Sequence, residues 1–317
     1  MSFSERIFKL VNPAGQSMYG ITHAPENPNG AVVIMFNIGL HYRVCHSRLF
    51  IRQARDLTQA GFSVVRFDPS RVGYSHGEIV VDRAIDCYNA VQTGLFKEDA
   101  LQLIAHVRET MQPKRIYLYG LCGGGLTAII AGALAEQTDG VVFVAGPVTV
   151  TSAEFELSTL HPLDAKVDLI GYRNRLFRPE AWGRFLSGKT SYRKIFRSIS
   201  VLLKDKFRSR ERPSEESESV EGAEENKGDL YNRTYAEAFD TLMKAGRKVL
   251  FLMPELDRAT YDFDRIFAAR FLPKYDDYKQ FYTVERVPKA NHTFSTPEST
   301  RQLFDITRDW LLNEVST

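Results

Sequence analysis

Five residues, Gly120-Leu121-Cys122-Gly123-Gly124, constrain this chain more than any others. They follow the apolar run Arg115-Ile-Tyr-Leu-Tyr119 and precede the small-residue run Thr127 to Ala135, so the local order is strand, sharp turn, helix. Glycines stand two residues either side of the central cysteine. A Cβ at those positions would clash where the chain doubles back, and the residue at the tip is held in a strained backbone region. A buried structural thiol in a glycine-rich turn would look the same over five residues, since free cysteine is among the most buried residue types. Context separates the two readings: the flanking strand and helix, and the partner residues available downstream.

The rest of the chain repeats the same alternation. Residues 5–11 and 17–24 read as a hairpin around Asn12-Pro-Ala-Gly15. Ala31 to Phe36 is a continuous apolar run, which suits a strand buried on both faces of a mostly parallel sheet. A helix is expected over about 47–60 and a second buried strand over Phe62 to Phe67, followed by the loop Asp68 to Ser75. A helix over about 95–111 leads into the strand before Cys122. Strands are expected again at Gly140–Ala145, Lys248–Met253 and Lys279–Val284, and an amphipathic helix at about 298–314 closes the chain. This pattern predicts right-handed crossovers with helices on both sheet faces.

From about residue 150 the alternation stops. Residues 171–212 hold 13 Lys or Arg against three acidic residues, with Trp182, Phe185, Tyr192, Ile195, Phe196, Ile199, Leu202 and Leu203 at helical spacings. Ser214 to Asp229 then carries seven Glu or Asp against one Lys, a composition that cannot bury much apolar surface. The expected organisation is an α/β core of residues 1–149 and 236–317, interrupted by a helical cap insertion at 150–235 with a disordered loop at about 209–229. The basic insertion reads either as a solvated face whose apolar side covers the site, or as a docking surface for an acidic partner such as a carrier protein, coenzyme A phosphates or a membrane surface.

A length of 317 residues and an apolar fraction of 44% suffice for one sizeable core. The net charge of +2 argues against a dedicated nucleic-acid binder. Three cysteines, Cys45, Cys87 and Cys122, make no disulfide framework and favour a reducing compartment. A polar N-terminus and the lack of any run of about 18 apolar residues lead to the expectation of a cytoplasmic protein with no transmembrane segment. No metal-ligand spacing and no dinucleotide fingerprint occur, so neither metal nor cofactor is expected.

A cysteine nucleophile needs a base within reach and a third group to orient that base. His292, in the loop Lys289-Ala-Asn-His-Thr-Phe-Ser295 before the last helix, lies where a late strand would deliver it over the sheet edge. Asp257 stands just beyond strand 248–253 and between nucleophile and base in chain order, with Glu255 as nearest rival and Asp262 and Asp264 as more distant ones. A plain loop carboxylate or helix cap is the competing role for any of them. Oxyanion donors would be the backbone N–H of Gly123, at a helix start, and that of Leu40, beside Gly39 in the loop after strand 31–36. His41 and Arg43 are candidate substrate contacts, with structural hydrogen bonds as the alternative. Cys45 and Cys87 lack such a turn and read as inert thiols.

These residues resemble the α/β-hydrolase superfamily. Gly39-Leu-His-Tyr-Arg43, with Phe67-Asp68, Arg71, Gly73 and Ser75, is similar to its exosortase-system-associated branch, in which a Gly-Leu-Cys elbow replaces the serine version. The match spans about residues 30–150 and 245–312. It implies an α/β-hydrolase fold with Cys122 as nucleophile, Asp257 as acid and His292 as base. Asn37-Ile38 departs from the His-Gly pair common in the superfamily's oxyanion loop, and Pro254 stands where glycine is frequent.

The expected function is acyl transfer through an acyl-cysteine, on a small-molecule ester or thioester, with water as acceptor. One alternative is an acyltransferase that takes the acyl group from a carrier protein or coenzyme A to an alcohol or amine. A third reading, of another class, is a non-catalytic binding or scaffold protein that keeps the fold.

Overall fold

The apolar runs become the centre of a sheet. In a computed structural model, which describes residues 3–79, 84–150 and 231–316, eight strands pair in the order β1-β2-β4-β3-β5-β6-β7-β8. They are β1 (Phe3–Val11), β2 (Ser17–Pro25), β3 (Ala31–Phe36), β4 (Ser63–Asp68), β5 (Arg115–Leu121), β6 (Gly140–Val144), β7 (Lys248–Leu256) and β8 (Tyr282–Asn291). The β1–β2 and β2–β4 pairs are antiparallel, and every other pair is parallel. Strands β3 and β6 are buried at every position, as parallel strands covered on both faces must be.

Alternate residues feed two cores. On one face Ile116 and Leu118 of β5 join Phe143 and Phe251 beneath α3 (Lys97–Met111), α4 (Gly123–Leu134) and α5 (Arg233–Lys244). On the other, Tyr117 and Tyr119 join Val142 and Leu250 beneath α1 (Leu49–Gln59) and α7 (Pro297–Ser316). That period of two puts each strand's side chains in both layers. Two short helices, α2 (Ala84–Gln92) and α6 (Arg258–Asp262), complete the elements used below.

The chain divides into two units, Met1–Thr151 with Tyr231–Thr317, and Ser152–Leu230. All described residues belong to the first. The expected cap insertion, its basic helices and the loop at about 209–229 lie outside the described residues, except at the insertion's ends. There, Tyr231 bridges Thr149, and the Asn232 N–H donates to Val148 C=O at 2.9 Å. Asn232 then caps α5 by accepting from the Tyr235 N–H at 3.1 Å. The core therefore resumes at Tyr231, with α5 beginning a few residues before the expected boundary at 236.

Three elements differ from the sequence reading. Residues 46–48 form a 3-10 turn, so α1 begins at Leu49 rather than 47. Helix α2 was not anticipated. Lys279–Phe281 lie in a 3-10 stretch, and β8 instead runs from Tyr282 to Asn291, with only Val287 and Ala290 buried. An edge strand exposed on both faces carries little apolar periodicity, and so its true extent was hidden.

Candidate active site

Close backbone packing shapes the elbow. A Cβ at Gly120 would stand 2.0 Å from Gly124 C=O, and one at Gly124 would stand 2.5 Å from Asn37 C=O. Cys122 takes φ +55° and ψ −123°, a region costly for a residue with a side chain. Its N–H is tied to Val144 C=O at 2.9 Å, and its carbonyl accepts from the Gly125 N–H at 3.0 Å. The thiol stands at the head of α4, partly exposed, while Cys45 and Cys87 are buried. Burial pushes the Cys45 thiol up to about 12 and raises Cys87 as well, which keeps both as protonated, unreactive groups.

Strands β5, β7 and β8 run parallel, so their carboxyl ends deliver Cys122, Asp257 and His292 to one edge of the sheet. Register matters here. Pro254 pairs with Val287 but Leu256 pairs with Asn291, so β8 carries extra residues opposite β7. The shift makes Asp257 and His292 the next residues after a paired couple; a regular ladder would set Asp257 opposite residue 290. Lys289, inside the irregularity, has φ +56°, and its N–H is taken by Glu255 Oε2 at 2.8 Å.

Asp257 is 8% exposed and uses both oxygens. Oδ2 lies 2.7 Å from His292 Nδ1, while Oδ1 caps α6 by accepting from the Ala259 N–H at 3.2 Å. The rival acids are engaged elsewhere: Glu255 with Lys289, Asp262 with Arg258, and Asp264 with Arg286. Burial works to lower the His292 pKa, but hydrogen bonds to Asp257 and to Cys122, with the charges of both, outweigh it and hold the ring up to about 10.

Gly123 opens α4, so its N–H has no partner inside the helix. The loop after β3 packs on it: a Cβ at residue 123 would lie 3.0 Å from Gly39 Cα and 3.1 Å from Gly39 N. Gly39 makes that contact, and the Leu40 side chain beside it is exposed. His41 and His46 sit with ring centroids 4.6 Å apart. Burial, then the neighbouring His41 and His292, lower the His46 pKa. Arg43 is committed to the fold. Its guanidinium pairs with buried Asp68 and lies 5.0 Å over the Tyr74 ring, and its N–H donates to Asp68 Oδ1 at 2.6 Å.

Sequence reasoning noted Asn37 only as a departure, and it overlooked the part of Glu255 in the β8 irregularity. A buried amide directly after a wholly apolar strand was the available signal for the first; nothing in residue type marks the second. Among the described residues no group of His, Cys, Asp or Glu could hold a metal ion, and no helix is long and apolar enough to cross a membrane.

A family model described as serine aminopeptidase, S33, matches residues 27–250. No curated protein matches the chain. Among solved structures, an esterase of Pyrococcus furiosus is 12% identical with a TM-score of 0.58, covering 98% of this chain and 91% of that one. Est1E from Butyrivibrio proteoclasticus, with ferulic acid bound, is 14% identical with a TM-score of 0.56, covering 98% and 100%. An α/β serine hydrolase without lid from Xanthomonas campestris is 14% identical with a TM-score of 0.50, covering 98% and 94%. These likenesses show the α/β-hydrolase fold.

Proposed function

The chain belongs to the hydrolase family described as serine aminopeptidase, S33, and from that premise we propose that it is an acyl-transfer enzyme with Cys122 in the serine's place, hydrolysing esters or thioesters. It is an α/β-hydrolase-type enzyme. The observation that carries the proposal is the ring of His292, bonded through Nδ1 to Asp257 at 2.7 Å and raised in pKa by the neighbouring Cys122, which stands at the tip of a left-handed elbow. The exosortase-associated resemblance of Gly39 to Arg43 supports the same assignment.

In this reading the proton shared by Cys122 and His292 rests on His292, and the thiolate attacks the acyl carbonyl. A C–S bond forms and the carbonyl oxygen becomes an oxyanion, held by the N–H groups of Gly123 and Leu40 at about 3–4 kcal/mol per donor. The oxyanion collapses, the bond to the leaving alcohol or thiol breaks, and the leaving group takes the proton from Nε2. Water then attacks the thioester as His292 takes its proton; the C–S bond breaks, releasing the acid and restoring the pair. Asp257 holds the ring and balances its charge.

Incubation with p-nitrophenyl acetate followed by intact mass measurement tests this. One added acetyl group is expected, and Cys122→Ala should abolish both adduct and turnover. Undiminished turnover in Cys122→Ala would refute the assignment. An acyl group passed to an added alcohol or amine faster than to water would make the enzyme an acyltransferase.

A further inference from the structure

Asn37 follows β3 directly, is 1% exposed, and has an unusual balance of bonds. Its Nδ2 donates to Gly39 C=O, while its Oδ1 is buried with no partner. A buried acceptor left unmade costs about 1–3 kcal/mol, so this amide is not held here for stability alone. The two residues it spans carry the loop that packs on the elbow.

That loop is a turn. The His41 N–H donates to Ile38 C=O at 2.8 Å, closing Ile38 to His41, with Gly39 at φ +52° and Leu40 outside the left-handed region. In such a turn the closing bond joins the first and last residues, and the middle peptide takes no part in it. The middle peptide here is Gly39–Leu40. It is trans and planar, so its C=O and N–H point in opposite directions. Holding Gly39 C=O on Asn37 therefore fixes the direction of the Leu40 N–H.

We propose that Asn37 is a positioning residue: its amide clamps the Gly39–Leu40 peptide so that the Leu40 N–H stays aimed at the reacting oxygen. This rests on the acyl-cysteine reading, and it adds the source of the oxyanion loop's rigidity. The Asn37 carbonyl, packed against Gly124, ties the same residue to the elbow, so clamp and nucleophile share one frame.

The test compares two reactions of one sulfur. Acylation by p-nitrophenyl acetate passes through an oxyanion, whereas alkylation by iodoacetamide displaces iodide and forms none. In Asn37→Ala, and in Asn37→Asp, whose ionised carboxylate keeps the shape but has no N–H to donate, acylation should fall roughly 100- to 1,000-fold. Alkylation should stay within about threefold of wild type, because displacement of iodide makes no demand on the oxyanion loop. Unchanged acylation in Asn37→Ala would overturn the inference, as would acylation and alkylation falling together, which is the mark of a merely structural role. A wild type whose Cys122 is never acylated would fail the nucleophile reading itself, and this inference with it.

Discussion

Asp257 divides its two oxygens between a ring and a helix. Oδ1 is fixed by the first turn of α6, so Oδ2 is presented to His292 in one direction only. Asp257→Asn should keep the cap, because Oδ1 remains an acceptor, yet lose the anion beside the ring. Activity is expected to fall about 1,000- to 10,000-fold on that ground. Glu255→Gln, which retains an acceptor for the Lys289 N–H, should stay within a few-fold of wild type. In the proposed reaction His292 donates a proton and so must be protonated, and its pKa is raised from 6.5 to about 10. The ratio kcat/KM should therefore fall as pH rises through about 10, and Asp257→Asn should move that limb down towards neutrality. Because the folded value is the higher one, the pairing stabilises the fold fully below pH 6.5 and its contribution fades as pH approaches about 10.

At the scale of elements, two backbone devices set the site: the elbow and the β7–β8 register shift. Gly124→Ala would force a methyl group within 2.5 Å of Asn37 C=O and 2.8 Å of Phe36 C=O, neither of which is the end of a flexible side chain. A loss of about 1–3 kcal/mol, read as a thermal midpoint lower by several degrees, is expected. Gly120→Ala meets Gly124 C=O at 2.0 Å and should fare worse. The elbow was legible because glycine spacing reports close backbone approach directly. Buried strands were legible for a similar reason: continuous apolar runs such as Ala31 to Phe36 have few other uses. The juxtaposition of Asp257 and His292 followed from where strands end, but the shift that completes it did not. Its left-handed residue is Lys289, and lysine carries no signal for that conformation. Helix α2 was missed for want of contrast, since Cys87 and Val91 are a faint apolar stripe.

Across the whole molecule, one buried polar pair governs behaviour in acid. Arg66, 1% exposed on β4, donates from Nε to His23 Nε2 at 3.0 Å and from Nη1 to Arg43 C=O at 2.8 Å. Burial first, and then the Arg66 charge, lower the His23 pKa to about 4 against a contrary pull from Glu5. Between pH 6.5 and about 4 the unfolded chain binds a proton at His23 that the folded chain refuses, so stability is full above pH 6.5 and declines as pH falls. Urea unfolding at pH 7 and pH 4.5 should differ by a few kcal/mol from this source, and His23→Gln, which keeps an acceptor for Arg66 and does not titrate, should shrink the difference.

The stitched stems at Thr149 and Tyr231 have a consequence for how such a chain diversifies. Because the strand-like bridge and the Asn232 N–H join the two ends within the core itself, the α/β body is closed at residues 149 and 231 by its own hydrogen bonds. A version with residues 152–230 replaced by a short glycine-serine linker is expected to unfold cooperatively, with a far-ultraviolet signature of mixed helix and sheet. Change confined to residues 152–230 then leaves intact the parallel strands whose ends deliver Cys122, Asp257 and His292 to one sheet edge.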